Sequence, residues 1–127
     1  MNAKRILIID DEEDIREIAQ VSLNLMKAWD VVTAASGEEG TKLAILTQPD
    51  AILLDAMMPE VDGVETLKRL QAHPATRVIP VIMLTGATQP SKRQIYLQAG
   101  ARAIVQKPFD PAQLGCQIAA ALEWAQT

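Results

Sequence analysis

The chain has 127 residues, a length that fits one domain with its own hydrophobic core over residues 1–127. It carries 16 acidic and 12 basic residues, a net charge of −4 and no stripe of Lys or Arg, which argues against direct binding to nucleic acid. A single cysteine, Cys116, excludes an internal disulfide and fits a reducing compartment, and no apolar run approaches the length of a membrane span. These features predict a cytoplasmic domain without membrane insertion.

Short apolar runs alternate with helical patterns along the whole chain. Runs typical of strands buried on both faces lie at residues 6–9, 31–35, 51–54, 81–84 and 103–105. A helical pattern follows each run: Ser36 and Glu39 form a capping box for the second helix, Gly100 ends the fourth, and the fifth begins near Asp110. Five strand–helix units predict an α/β fold built on one doubly wound parallel sheet.

The first helix is predicted to be amphipathic, with apolar residues at helical spacing at Ile15, Ile18, Ala19, Val21, Leu25 and Met26. The fourth helix carries Ile95 and Leu97. In the last helix Cys116 is expected to be packed rather than reactive, and Trp124 either covers the core or contacts a partner.

Polar residues follow four of the five predicted strands. Asp10 and Asp11 come after the first strand, Asp55 after the third, Thr85 after the fourth and Lys107 after the fifth. In a parallel sheet the carboxyl ends of the strands meet at one edge, so these side chains are predicted to form one site. Taken one at a time, each of these residues has an ordinary explanation, such as a helix start favoured by the macrodipole or a solvated loop charge. Their occurrence together, at the ends of four strands of one sheet, indicates a functional site.

Three carboxylates at one edge repel one another unless a cation lies among them. A hard ion with oxygen ligands that keeps several waters is most simply Mg²⁺. With the metal and Lys107 present, the edge could receive a phosphoryl group, Asp55 would be the nucleophile and Thr85 a hydroxyl donor.

With these residues in these positions, the chain resembles the receiver domain of two-component response regulators over essentially its whole length. The resemblance is carried by Asp10-Asp11 after an Ile-Leu-Ile-Ile run, Leu-Leu-Asp55 with Met58-Pro59 and Asp62-Gly63, the run from Pro80 to Thr85-Gly86-Ala87, and Lys107-Pro108-Phe109. It implies a (βα)₅ flavodoxin-like fold with strand order 2-1-3-4-5, the order known for a member of the same family.

The resemblance also implies roles for the site residues. Asp55 would accept a phosphoryl group from the phosphohistidine of a sensor histidine kinase. Asp10, Asp11, Asp55 and the backbone carbonyl of Met57 would hold Mg²⁺. Thr85 and Lys107 would bind the phosphoryl oxygens and draw nearby loops inward, which is the signal. Such a protein catalyses only its own phosphorylation and dephosphorylation.

One position departs from the family pattern. Many receiver domains have Tyr or Phe three residues before the site lysine, and this chain has Ile104. We expect Ile104 to pack passively and the output to depend on backbone shifts in the 85–92 loop and the helix after it. Met57 and Ala87 lie where side chains influence the lifetime of the phosphoryl group, and neither can act as a general base.

Several functions fit these residues. The chain ends just after the fifth helix, so a stand-alone response regulator without an output domain is expected, acting on a separate protein target. Alternatives are an intermediate receiver in a multi-step phosphorelay that exchanges phosphoryl groups with a histidine phosphotransfer protein, and a phosphate-independent interaction module. A phosphatase is disfavoured because Met57 occupies the position of its second acid. The sequence leaves open the kinase, the target and a phosphorylation-dependent homodimer.

Overall fold

The computed structural model describes residues 4–58, 63–86 and 90–124. Within these ranges five strands alternate with five helices. In chain order they are β1 (Arg5–Ile9), α1 (Glu13–Lys27), β2 (Asp30–Ala34), α2 (Gly37–Thr47), β3 (Ala51–Asp55), α3 (Gly63–Ala72), β4 (Val81–Thr85), α4 (Pro90–Gln98), β5 (Ala103–Gln106) and α5 (Pro111–Ala121). Predicted strand boundaries differ from these by at most one residue. No helix within the described ranges is both long and apolar enough to cross a membrane.

The strands form one parallel sheet in the order β2-β1-β3-β4-β5, as the resemblance implied. The register pairs Ile9 with Leu54 and Asp55 with Leu84, and it pairs Thr85 with Gln106. The ends of β1, β3, β4 and β5 therefore lie side by side at one edge. The predicted fold class is confirmed, and it brings together the strand ends that carry the predicted site.

Two hydrophobic clusters cover the two faces of the sheet. Because side chains alternate along a strand, Leu7 and Ile9 point into one cluster and Ile6 and Ile8 into the other. The first cluster packs under α2, α3 and α4, and the second packs under α1 and α5. Strands buried on both faces explain why the sequence shows continuous apolar runs rather than alternation.

Most of the apolar residues at helical spacing in α1 are not buried. The buried residues of this helix are Ala19, Ser22 and Leu23. Ile18, Val21, Leu25 and Met26 are exposed. The helix packs against both the sheet and α5, and the Ser22 hydroxyl donates to the carbonyl of Pro111 at the start of α5.

Two other helices leave apolar or weakly polar side chains exposed. In α4 Tyr96 is buried, whereas Ile95 and Leu97 are exposed. In α5 Cys116 is exposed, so the prediction that it is packed is wrong. Trp124 packs against the second cluster and makes an edge-to-face contact with Trp29 at 5.4 Å between ring centroids, so it covers the core locally.

The predicted helix ends are confirmed. The amide of Glu39 donates to the Ser36 hydroxyl at 3.1 Å. The Glu39 carboxylate accepts from the amide of Ala35 at 2.7 Å, whereas in the usual capping box it would accept from the amide of the N-cap residue itself, Ser36. Gly100 follows α4 with a φ of +115°, a conformation that favours glycine. The Asp110 carboxylate accepts from the amide of Ala112 and caps α5.

Candidate functional site

The predicted site residues lie together at the carboxyl edge of the sheet. Asp55 ends β3 and Thr85 ends β4, and both side chains are buried. Asp10 directly follows β1, where its amide donates to the carbonyl of Ala34, and its side chain is buried too. The amide of Lys107 donates to the Thr85 carbonyl at 2.8 Å, which holds the start of the β5–α5 loop against β4. Rigid strands therefore position all of these groups.

Three carboxylates form a cluster that could hold a cation. Asp10, Asp11 and Asp55 each offer one oxygen, and these oxygens lie within 4.8 Å of one another. Two of the residues are buried and Asp11 is exposed, so the cluster opens to solvent on one side. Asp10 Oδ2 is buried and lies 2.9 Å from Lys107 Nζ. Three carboxylate oxygens this close together, on a cluster that is open to solvent on one side, fit Mg²⁺, a hard ion that keeps several waters.

Backbone amides fix the orientation of two of these carboxylates. Asp10 Oδ1 accepts from the amide of Glu12 at 2.9 Å, and Asp55 Oδ1 accepts from the amide of Met57 at 3.1 Å. Each contact is an Asx-type turn that locks a side chain at the start of its loop. The Met57 side chain is exposed, and its amide contact places its backbone beside Asp55.

Lys107 lies among three carboxylates. Its ammonium nitrogen is 2.9 Å from Asp10 Oδ2, 3.1 Å from Glu12 Oε1 and 3.4 Å from Asp55 Oδ1. The side chain of Lys107 is only 16% exposed, so most of its length is held inside the site. The positive charge offsets part of the repulsion within the carboxylate cluster.

The electrostatics of the site raise two pKa values. Burial, and then the charge of Asp10, raise the pKa of Asp55 to about 6, against the lowering effects of the Met57 amide and of Lys107. Burial alone would lower the pKa of Lys107, but its contacts with Asp10 and Glu12 and the charges of Asp10 and Asp55 raise that pKa above its ordinary value. The site thus favours an ammonium that stays charged beside a carboxylate that gains a proton easily.

Gly63 lets α3 begin directly against the end of β3. Its amide donates to the carbonyl of Ala56 at 3.1 Å. A Cβ at this position would lie 2.5 Å from the carbonyl oxygen of Asp55 and 2.6 Å from Cα of Ala56, and both of those are backbone atoms. The sequence indicates only a turn here, so its role in the close approach of two backbones is a finding of the structure.

The contact between Glu12 and Lys107 is a feature that the sequence does not predict. In the sequence, Glu12 is only one member of the acidic run that begins the first helix. Its partner lies 95 residues away in the chain, and the only signal in the sequence is a third acidic residue close to the predicted site.

Two further positions singled out in the sequence are Ile104 and Ala87. Ile104 is half-buried against the first cluster and pairs with Met83 in the sheet. Ala87 lies outside the described residues.

The sequence model of the response regulator receiver domain matches residues 6–119. The chain belongs to the response regulator receiver domain family. Receiver domains accept phosphoryl groups from histidine kinases and generally bind Mg²⁺ at an acidic pocket. They are signalling modules rather than metabolic enzymes.

Curated relatives of this receiver domain include longer transcriptional regulators. The alkaline phosphatase synthesis transcriptional regulatory protein PhoP of Bacillus subtilis is 37% identical over 119 residues, which are 94% of this chain and 48% of that protein. The DNA-binding dual master transcriptional regulator RpaA of Synechocystis is 39% identical over 118 residues, which are 93% of this chain and 48% of that protein. The chain spans about half the length of these relatives.

Solved structures of other receiver domains match the fold closely. The chemotaxis protein CheY4 of Vibrio cholerae superposes with a TM-score of 0.89 at 30% identity, over 94% of this chain and 99% of that chain. The N-terminal domain of a response regulator receiver protein from Methanoculleus marisnigri gives a TM-score of 0.78 at 35% identity, over 98% of this chain and all of that chain.

Proposed function

We propose that this receiver domain takes a phosphoryl group on Asp55 from the phosphohistidine of a sensor histidine kinase, in a reaction that requires Mg²⁺. The observation that carries the proposal is the position of the Asp55 carboxylate, which ends β3 inside one cluster with Asp10 and Asp11 and lies 3.4 Å from Lys107 Nζ. Asp10, Asp11, Asp55 and the Met57 carbonyl would hold the metal, which supplies positive charge to offset that of the phosphoryl oxygens.

The proposed chemistry is a single displacement at phosphorus. An oxygen of Asp55 forms the new O–P bond while the N–P bond of phosphohistidine breaks, and the electron pair of that bond stays on the imidazole nitrogen. Lys107 Nζ stabilises the negative charge on the transferred group, and the Thr85 hydroxyl donates to one of its oxygens. Because β3, β4 and β5 hold these groups beforehand, catalysis is mostly positioning.

The proposed signal is a movement of the elements that follow Thr85 and Lys107. Both residues stand where a strand passes into a loop, and the Lys107 amide is bonded to the Thr85 carbonyl, so a phosphoryl group that attracts both side chains would move the two loops together. Ile104 is half-buried against the first cluster, which supports a passive packing role for it. We expect Ile104→Ala to leave both phosphorylation of Asp55 and partner binding intact, and loss of partner binding with phosphorylation intact would contradict the passive role.

We propose that the phosphorylated domain delivers its signal by binding another protein. The match to CheY4 over 99% of that solved chain supports this output, whereas the longer curated relatives are described as transcriptional regulators. A role as an intermediate receiver that exchanges phosphoryl groups with a histidine phosphotransfer protein uses the same site. Light scattering before and after phosphorylation tests the further proposal that two phosphorylated copies form a homodimer.

The experiment that tests phosphorylation is intact mass spectrometry after incubation with a small acyl phosphate, with and without Mg²⁺. We expect one phosphoryl adduct on the parent protein, dependent on Mg²⁺, and none on Asp55→Asn. Asp14→Asn is the matched control, because Asp14 is an exposed carboxylate in the first turn of α1. An adduct on Asp55→Asn would contradict the proposal by showing that another residue accepts the phosphoryl group. No adduct on a folded parent that binds Mg²⁺ would also contradict it, and would favour a phosphate-independent interaction module.

A further inference from the structure

The Lys107 ammonium does not lie closest to the proposed phosphoryl acceptor. Its nitrogen is 2.9 Å from Asp10 Oδ2 and 3.1 Å from Glu12 Oε1, but 3.4 Å from Asp55 Oδ1. The ammonium also donates a hydrogen bond to Glu12. Lys107 is therefore shared among three carboxylates, and the two on the β1–α1 side of the site lie nearer to its ammonium than Asp55 does.

Glu12 differs from the other two carboxylates that contact Lys107. Asp10 and Asp55 are buried and belong to the cluster that could hold a cation, whereas Glu12 lies outside that cluster and its side chain is 59% exposed. Glu12 is the N-cap residue of α1, but its side chain makes no capping hydrogen bond. Its carboxylate is directed instead to Lys107, across a sequence separation of 95 residues.

The backbone on both sides of this contact is fixed. The Glu12 amide donates to Asp10 Oδ1 at 2.9 Å, and the Lys107 amide donates to the Thr85 carbonyl at 2.8 Å. The two side chains therefore meet from anchored positions. A small movement of the Lys107 side chain is enough for its ammonium to exchange Glu12 for a group on Asp55, because its nitrogen already lies 3.4 Å from Asp55 Oδ1.

We propose that Glu12 is a positioning residue that shares the Lys107 ammonium with Asp10 and Asp55, competes for it with a phosphoryl group on Asp55, and thereby favours the unphosphorylated state. This inference rests on the proposed function, because Lys107 must exchange Glu12 for an oxygen of the phosphoryl group. Since Glu12 is largely exposed, the ion pair is weak, and its loss should strengthen binding of a phosphoryl group or its analogue by about two- to fivefold.

The test is the affinity of the domain for beryllofluoride, a phosphoryl analogue, measured by calorimetry at saturating Mg²⁺. The variants are Glu12→Gln, Glu12→Asp and the control Glu13→Gln, which removes the same charge from the neighbouring exposed position. We expect Glu12→Gln to bind about two- to fivefold more tightly than Glu13→Gln, with a difference that shrinks as ionic strength rises. Glu12→Asp keeps the charge but loses reach, so it should resemble Glu12→Gln.

Two outcomes would overturn the inference while leaving the proposed function intact. One is equal affinity of Glu12→Gln and Glu13→Gln, which would show that only the net charge matters. The other is a Glu12→Asp variant that matches the parent protein, which would show that the contact with Lys107 is not what restrains it. If the folded parent itself fails to bind beryllofluoride with Mg²⁺, the proposed function fails and this inference fails with it.

Discussion

Asp55 is buried beside another carboxylate, and this makes the stability of the folded domain depend on pH. Burial and the charge of Asp10 raise its pKa from 3.8 to about 6. A carboxyl whose pKa is higher in the folded state than in the unfolded state favours folding in its protonated form. Its stabilising contribution is complete below the unfolded value of 3.8 and is lost as the pH rises through about 6.

We therefore expect Asp55→Asn to stabilise the protein near neutral pH in the absence of Mg²⁺. The neutral amide removes the charge that burial disfavours, and the shift in pKa corresponds to about 1–3 kcal/mol at about 1.4 kcal/mol for each pKa unit. Urea unfolding at several pH values measures this difference, which should narrow as the pH falls below about 6.

Asp14→Asn is the control for this measurement because Asp14 is exposed. Its free energy of unfolding should follow that of the parent across the same pH range. An Asp55→Asn variant that is less stable than the parent at neutral pH would show that Lys107 stabilises the Asp55 carboxylate more than burial disfavours it.

At the scale of single elements, α1 shows what an apolar pattern leaves undetermined. The sequence places Ile, Leu, Val and Met residues at helical spacing, and the helix forms as predicted. The face of α1 that turns inward depends on its packing against α5, on the side where α1 carries the small residues Ala19 and Ser22. This contact joins distant parts of the chain, so it cannot be predicted from the spacing of apolar residues within α1.

Two leucines in α1 test this orientation of the helix. Leu23→Ala should lower the free energy of unfolding by about 2–5 kcal/mol, because Leu23 is fully buried and its truncation leaves a cavity. Leu25→Ala should change it by no more than about 0.5 kcal/mol, because Leu25 is 78% exposed. Chemical denaturation measures both values, and equal losses would mean that α1 is rotated from the orientation described.

The start of α3 gives a second prediction at this scale. Gly63→Ala should destabilise the fold by about 1–3 kcal/mol, because the added methyl group would press on backbone atoms of Asp55 and Ala56. Gly86→Ala is the control, since a Cβ there meets nothing within 4 Å. Thermal unfolding compares the two variants, and a Gly63→Ala protein as stable as Gly86→Ala would show that α3 can move away from β3 without loss.

At the scale of the whole molecule, the sheet is predictable from the sequence and its finer contacts are not. Strands buried on both faces leave continuous apolar runs, and polar residues follow the runs at one edge, so Asp10, Asp55 and Thr85 can be grouped by the strand pattern alone. The contact of Glu12 with Lys107 and the exposure of Cys116 depend on side-chain positions that no local pattern specifies.

Binding of Mg²⁺ should stabilise the whole domain. An ion that binds only the folded state adds about 2.7 kcal/mol at one hundred times its dissociation constant. We expect the unfolding midpoint of the parent to rise with Mg²⁺ and that of Asp10→Asn to rise much less, because this variant loses a carboxylate of the cluster. A series of Mg²⁺ concentrations at constant ionic strength separates binding of the ion from screening of charges by salt. Equal shifts of the unfolding midpoint in both proteins would exclude Asp10 as a ligand.

Phosphorylation of Asp55 is tested most directly by locating the phosphoryl group in the chain. Borohydride reduction converts an aspartyl phosphate to homoserine, and trypsin then separates residues 43–68, which contain Asp55, from residues 6–16, which contain Asp10 and Asp11. Fragment ions distinguish Asp55 from the other acidic residues of the first peptide. We expect homoserine at position 55 alone and only after incubation with Mg²⁺. Conversion at Asp10 or Asp11, with Asp55 unchanged, would contradict it.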